Sequence, residues 1–241
     1  MKHHFITSSF IGILLLVFCT TNSTAKSISK TVALPFSKLT ISDRINLVLQ
    51  QGEQQVLEID YFQIDEKDIV IEDSGKKLNI YLKGCKRGCS YNEYSEARVL
   101  VKLTYKNLEK LIIMGDNNVQ HLGNMKAQKF TLKSYGDNKI SFKAINADKF
   151  KTSLYGDNHL KIESGNVTQL KLNTLGDHTA DLGKLICKQG KVNSFGDSVL
   201  DLNVAQKLNL TSLGDSEVQC TGNPWIDKKL VLGDLSLKVY N

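Results

Sequence analysis

The sequence predicts an all-β fold, a parallel β-helix or β-solenoid with coils of about 20 residues centred on Gly-Asp turns. Three observations predict it. Gly-Asp recurs at Gly115-Asp116, Gly136-Asp137, Gly156-Asp157, Gly176-Asp177, Gly196-Asp197, Gly214-Asp215 and Gly233-Asp234. The steps between these glycines are 21, 20, 20, 20, 18 and 19 residues, and self-similarity at such a period marks a repeat array. Apolar residues alternate with polar ones on both sides of each glycine, with neither the 3.6-residue period nor the long segments that a helical repeat needs.

The columns around the glycine define the coil. Six residues before it stand Phe130, Phe150, Leu170 and Leu208, with Gly190 breaking the series. Four before it come Leu111, Leu132, Leu172, Val192 and Leu210, interrupted by Thr152. Four and six after it come Ile140 and Phe142, Leu160 and Ile162, Ala180 and Leu182, Leu200 and Leu202, and Val218 and Cys220. This period of two predicts two short strands per coil, each with one face inward. At the turn, glycine supplies positive φ and aspartate bonds nearby backbone N–H groups. Parallel stacking of coils then satisfies the backbone and buries the inward columns as one core. Six steps of about 4.8 Å give the array a length of roughly 29 Å.

Ahead of the array, Thr31 to Lys110 lacks Gly-Asp but reads as strands, for example Ile45 to Leu49, Leu78 to Leu82 and Arg98 to Leu103. Turn signals at Gln51-Gly52-Glu53 and Asp73-Ser74-Gly75 separate them. Residues 26–110 are therefore expected to be irregular N-terminal coils that cap the solenoid, with residues 111–241 forming its regular part. Residues 84–96 are polar and unpatterned, as an inserted loop would be. Pro224-Trp225 and the run from Leu235 to Tyr240 are expected to close the far end. Residues 1–25 read as a signal peptide: Lys2, a short apolar stretch from Phe10 to Phe18, then Ser23-Thr24-Ala25 before Lys26. Cys19 offers a rival reading as a lipidated cysteine, although Phe18 is bulkier than such a site prefers. No later segment is long and apolar enough to be a transmembrane helix.

The formal net charge is +6, and nearly all the basic residues are lysines, since only Arg44, Arg87 and Arg98 are arginines. Nucleic-acid readers lean on arginine forks, and an exported chain rarely meets nucleic acid, so no nucleic-acid partner is expected. The lysines suit solubilising outer faces, with anionic surfaces or glycans as possible partners.

Two parts of the chain carry a family resemblance. The stretch from Phe36 to Glu53 looks like the opening strand pair, and the later Gly-Asp turns look like the Gly-centred repeats, of the head GIN domain family. This is described as a family of autotransporter adhesins of Bacteroidetes-type bacteria. The resemblance implies a right-handed β-helix without catalytic residues and a role in adhesion.

Several residues could carry chemistry. Stacked coils place the turn carboxylates about 4.8 Å apart, at about 0.9 kcal/mol of repulsion per neighbouring pair in water. The ladder is read first as turn structure. Calcium at Asp137, Asp157, Asp177 and Asp197 is the alternative, since that ion takes six to eight oxygens. Tyr135 and Tyr155 align just before the glycine, where they could stack on sugar rings or on one another. Lys151, Lys171 and Lys191 align five before it and make a candidate ligand surface. Cys85 and Cys89 sit in the polar loop of an exported chain and suit a local disulfide, whereas Cys187 and Cys220 fall in inward columns. His121, His159 and His178 lie in different columns without metal-ligand spacing.

No catalytic residue and no cofactor is nominated. The function expected is that of an exported cell-surface or periplasmic binding protein of the adhesion type, with a surface polymer, glycan or protein as partner. A polysaccharide lyase or hydrolase on the same fold and a purely structural envelope protein are the alternatives. An enzyme needs clustered carboxylates and a local break in the repeat, and here the acids stand one per coil.

Overall fold

The computed structural model describes residues 26–31, 35–86, 89 and 94–240. The segment read as a signal peptide, Cys19 included, lies outside the described residues. Seven strands open the chain: β1 (Lys26–Thr31), β2 (Lys38–Ile41), β3 (Ile45–Gln51), β4 (Val56–Phe62), β5 (Ile69–Asp73), β6 (Lys77–Leu82) and β7 (Arg98–Tyr105). The repeats supply β8 (Lys110–Met114), β9 (Asn118–Tyr135), β10 (Asn138–Tyr155), β11 (Asn158–Ile162), β12 (Gly165–Leu175), β13 (His178–Phe195), β14 (Ser198–Leu213), β15 (Ser216–Thr221), β16 (Trp225–Leu232) and β17 (Leu235–Tyr240). All join one sheet wound into a parallel β-solenoid of about 7 turns. No described helix is long and apolar enough to cross a membrane.

The strands are longer than the two per coil expected. β9, β10 and β13 each run 18 residues, because pairing continues through a third short side. That side stacks Ile145 on Gly165 and Leu185, and Ala147 on Val167 and Cys187. The uneven repeat length is absorbed beside it. The register slips between Phe142 and Ala144, where the preceding coil carries the extra Gly123, and between Leu182 and Ile186, where the following coil is shorter. Apart from one slip between Leu210 and Thr211 against the last coil, the strands flanking the Gly-Asp turn keep register, so insertions go mainly to the corners.

The inward columns are buried as read. Phe130, Phe142, Phe150, Leu132, Leu172, Leu200 and Leu202 are at most 1% exposed, and fully burying each such side chain contributes about 1.5–3 kcal/mol. Phe130 and Phe150 stack at 5.7 Å on successive coils, and Phe130 meets Phe142 edge-on at 5.7 Å.

The N-terminal region is not simply a run of coils. β2 pairs in parallel with both β6 and β8, and β3 with both β7 and β9. The coil from Lys38 to Gln51 is thus sandwiched between the array and a later segment. That later segment, β6 and β7, forms the outermost pass. Antiparallel strands finish it: β4 on β7, β1 on β4, and β5 on β6. These edges reverse the strand direction, which stops parallel stacking at this end. At the far end, among the described residues, β16 and β17 pair only with β14 and β15. They add a coil rather than closing the stack, and Trp225 and Leu232 remain 61% and 60% exposed.

Candidate functional site

The Gly-Asp turn is built by a backbone shortage. Each turn glycine donates its N–H to the next coil's carbonyl just before the turn, as Gly136 does to Tyr155 and Gly156 to Leu175, both at 3.0 Å. The glycines approach so closely that a Cβ on Gly156 would lie 2.7 Å from the Gly136 carbonyl oxygen, at a φ of +95°. At five turns the aspartate N–H finds its partner in a side chain. Asp137 N–H donates to the Asp116 carboxylate, Asp157 to Asp137, and Asp215 to Asp197, each at 3.4 Å, and Asp234 donates to Asp215 at 3.1 Å. The chain of bonds starts one coil earlier than the repeat suggests, at Asp43, which accepts from Asp116 N–H at 2.9 Å.

Asp43 also accepts from Cys89 N–H at 3.2 Å. Cys85 and Cys89 are joined as a disulfide, so the polar loop takes the place of a Gly-Asp turn in the outermost pass and caps the aspartate ladder. Lys86 beside it binds both oxygens of Glu72 at 2.9 Å, and Tyr81 donates to Glu72 at 2.5 Å. Those bonds hold the Glu72 carboxyl below its ordinary range.

Just inside the turn lies a buried polar column. Asn117, Asn138 and Asn158 are buried and donate to the Met114, Tyr135 and Tyr155 carbonyls at 2.9, 3.1 and 3.1 Å. Serine hydroxyls continue it, Ser194 to Ser198 at 2.7 Å and Ser212 to Ser216 at 2.8 Å. Burial holds His178 in this column below the ordinary histidine value. The signal was present in the sequence, as every member is a short hydrogen-bonding side chain except His178 and, on the last coil, Leu235.

Asp137, Asp157, Asp177 and Asp197 line one open groove of about 860 Å³ with Asp215 and Asp234. Among the described residues, no group of three or more His, Cys, Asp or Glu side chains is placed to hold a metal. Tyr135 and Tyr155 stack on each other at 4.9 Å with ring planes 5° apart, so the faces a sugar would use are turned toward neighbouring coils. Leu175, Phe195 and Leu232 continue this exposed ridge. His121 is far from any surface role. It is 1% exposed, bonds Tyr105 Oη through Nε2 at 2.7 Å and stacks on Phe142. His159 and His178 line the groove, separate from it.

Lys151, Lys171 and Lys191 stand in direct register on β10, β12 and β13. Their column continues through Thr131 to Lys110, Lys38 and Lys77, an extension that sequence reasoning missed. The shared pattern Lys38-Leu-Thr-Ile, Lys77-Leu-Asn-Ile and Lys110-Leu-Ile-Ile could have aligned those strands. Burial, together with Lys133, Lys38, Lys77 and Lys151, lowers the Lys110 ammonium from its ordinary value.

The sequence matches the family described as "Putative auto-transporter adhesin, head GIN domain" over residues 35–224. No curated protein matches the chain. Solved structures do. One described as a putative adhesin from Bacteroides fragilis shares 16% identity at a TM-score of 0.75, with 89% of this chain and 97% of that one covered. Another so described, from Parabacteroides merdae, shares 14% identity at 0.70, covering 91% and 98%. A third, described as a putative lipid binding protein from Parabacteroides distasonis, shares 16% at 0.66, covering 91% and 98%. At such identities these likenesses speak to the fold, whereas the family match spans most of the sequence and both parts on which the resemblance rested: the chain belongs to the head GIN domain family.

Proposed function

We propose that the chain is an exported adhesion protein without catalytic activity, holding a surface polymer or partner protein through repeated contacts along its flat faces. The observation that carries this reading is the use already made of the acids. The carboxylates of Asp43, Asp116, Asp137, Asp197 and Asp215 each accept a neighbouring coil's backbone N–H. They serve the stack, one per coil, and do not converge on a point where a glycosidic oxygen could sit. The large hollows are grooves that follow the columns, of about 860 and 750 Å³. Long faces with one contact per coil suit multivalent attachment, where many weak contacts add up without a deep pocket. Family membership supports the same reading, and the leader-like residues 1–25 support export.

The test is binding of the protein to whole cells and a glycan array, with product analysis on every glycan that binds. Binding that rises with the density of displayed ligand, without new reducing ends or unsaturated sugars, is the expected outcome. Release of either product promotes the polysaccharide-enzyme alternative in its place.

A further inference from the structure

The lysines of the two main faces are treated differently. On the face after the turn four meet acids: Lys102 pairs with Asp60 at 2.7 Å, Lys143 with Glu163 at 2.6 Å, Lys161 with Asp181 at 3.1 Å and Lys238 with Glu217 at 3.7 Å. On the face before the turn the last coil pairs Lys229 with Asp227, and the earlier coils differ. Among the described residues, Lys38, Lys77, Lys110, Lys151, Lys171 and Lys191 share one column without an ion pair. A second column two residues away carries Lys129 and Lys149, then Gln169, Gln189 and Lys207. Lys207 rests over the Trp225 ring at 4.5 Å. Between the columns runs a trough of about 320 Å³, floored by Phe150, Leu170 and Gly190.

Two parallel rows of like charges repel, and no acid enters the first row before Asp227 on the last coil, so the charge of Lys151, Lys171 and Lys191 is left for something outside the chain. We propose that this trough binds a linear acidic polysaccharide laid parallel to the solenoid axis, one carboxylate per coil. The spacing follows from the fold: successive ammonium groups in a column repeat at about 4.8 Å, similar to the rise of a polymer with one acid per sugar ring. The chemistry of the rims narrows the class. Lysine offers point charges, and Gln169, Gln189 and Asn209 add amides that pair with hydroxyls. Among the described residues no arginine fork faces the trough; the Phe150 ring in its floor is 1% exposed, and Trp225 beside Lys207 is 61% exposed. This deepens the adhesion reading and rests on it, since it names the polymer class for one face.

The test measures binding of the protein to immobilised polygalacturonate, its methyl-esterified form, short oligogalacturonates and poly-L-glutamate, at low and at physiological salt. Expected are affinity that grows with oligomer length until the trough is spanned, loss on esterification, and weakening with salt. Lys151→Ser/Lys171→Ser/Lys191→Ser and Lys129→Ser/Lys149→Ser should each weaken binding at least tenfold. Lys102→Ser/Lys143→Ser/Lys161→Ser, on the other face, should leave it within twofold. Equal loss from the control variant, equal binding of the esterified polymer or of poly-L-glutamate, or no binding of polygalacturonate overturns the trough. If whole-cell binding persists when polygalacturonate does not bind, the trough fails alone; if both are absent, the adhesion reading fails with it.

Discussion

Asp137 shows how one side chain can settle what a repeat is for. Its carboxylate accepts the backbone N–H of Asp157 on the next coil. Asp137→Asn keeps an acceptor and removes a like charge, so it should change stability by less than about 0.5 kcal/mol, whereas Asp137→Ala should lose about 0.5–1.5 kcal/mol. Urea denaturation separates the two, and a chelator should leave the Tm of the parent unmoved; a large fall would restore the calcium alternative. Gly156→Ala should lose more than about 2 kcal/mol, since left-handed φ and contact with the Gly136 carbonyl act together. At the core, burial presses the His121 pKa from 6.5 down to about 4. The unfolded chain then takes up a proton below pH 6.5 that the folded chain refuses until about pH 4. Stability is full above 6.5 and falls by about 3 kcal/mol as the pH drops through that window. His121→Phe combined with Tyr105→Phe, which leaves no orphaned hydroxyl, should flatten that part of the pH profile.

Elements were legible in the sequence where their columns repeat and obscure where a strand is borrowed out of order. The strands beside each Gly-Asp turn could be read because inward Leu, Ile and Phe recur at fixed offsets. The third side was legible only in the inward column of Cys187; Ile145, Gly165 and Leu185 beside it share no common size, and the length of that side varies. The placement of β2 and β3 between later strands leaves no trace in sequence order, so the shared Lys-Leu-x-Ile pattern was the one sequence signal that could join Lys38 and Lys77 to Lys110. Asp43 was hidden for a related reason: it sits where the array has glycine, against Gly115. The loop of Cys85 and Cys89 shows the same substitution of one turn device by another. Its ring is small, so opening it should cost no more than about 2 kcal/mol by the loop-entropy estimate. Alkylation and mass spectrometry of the native protein should find Cys85 and Cys89 linked and Cys187 unlabelled, as Cys187 is buried and its thiol is pushed up to about 12. Fast native labelling of Cys187 would place it outside the core.

For the whole molecule, a solenoid's stability is a sum of coil energies and interfaces between neighbours, so the ends decide where opening starts. The two ends differ here. The N-terminal end is finished by antiparallel β1, β4 and β5, by the disulfide loop, and by the Glu72, Tyr81 and Lys86 bonds. The C-terminal coil of β16 and β17 has a neighbour on one side only, with Leu230, Leu232, Val239 and Tyr240 exposed. Each of its residues thus lacks half of the packing and ladder bonds that an interior coil has. Hydrogen exchange should be fastest in residues 225–240, slower in 26–31 and 56–73, and slowest in the central coils around Phe130, Phe142 and Phe150. Phe150→Ala should cost about 3–5 kcal/mol and speed exchange in the central coils it joins, while Leu232→Ser should leave those coils unchanged. An N-terminal end that opens before residues 225–240 would show that antiparallel strands and a disulfide loop do not protect a solenoid terminus better than an open coil does.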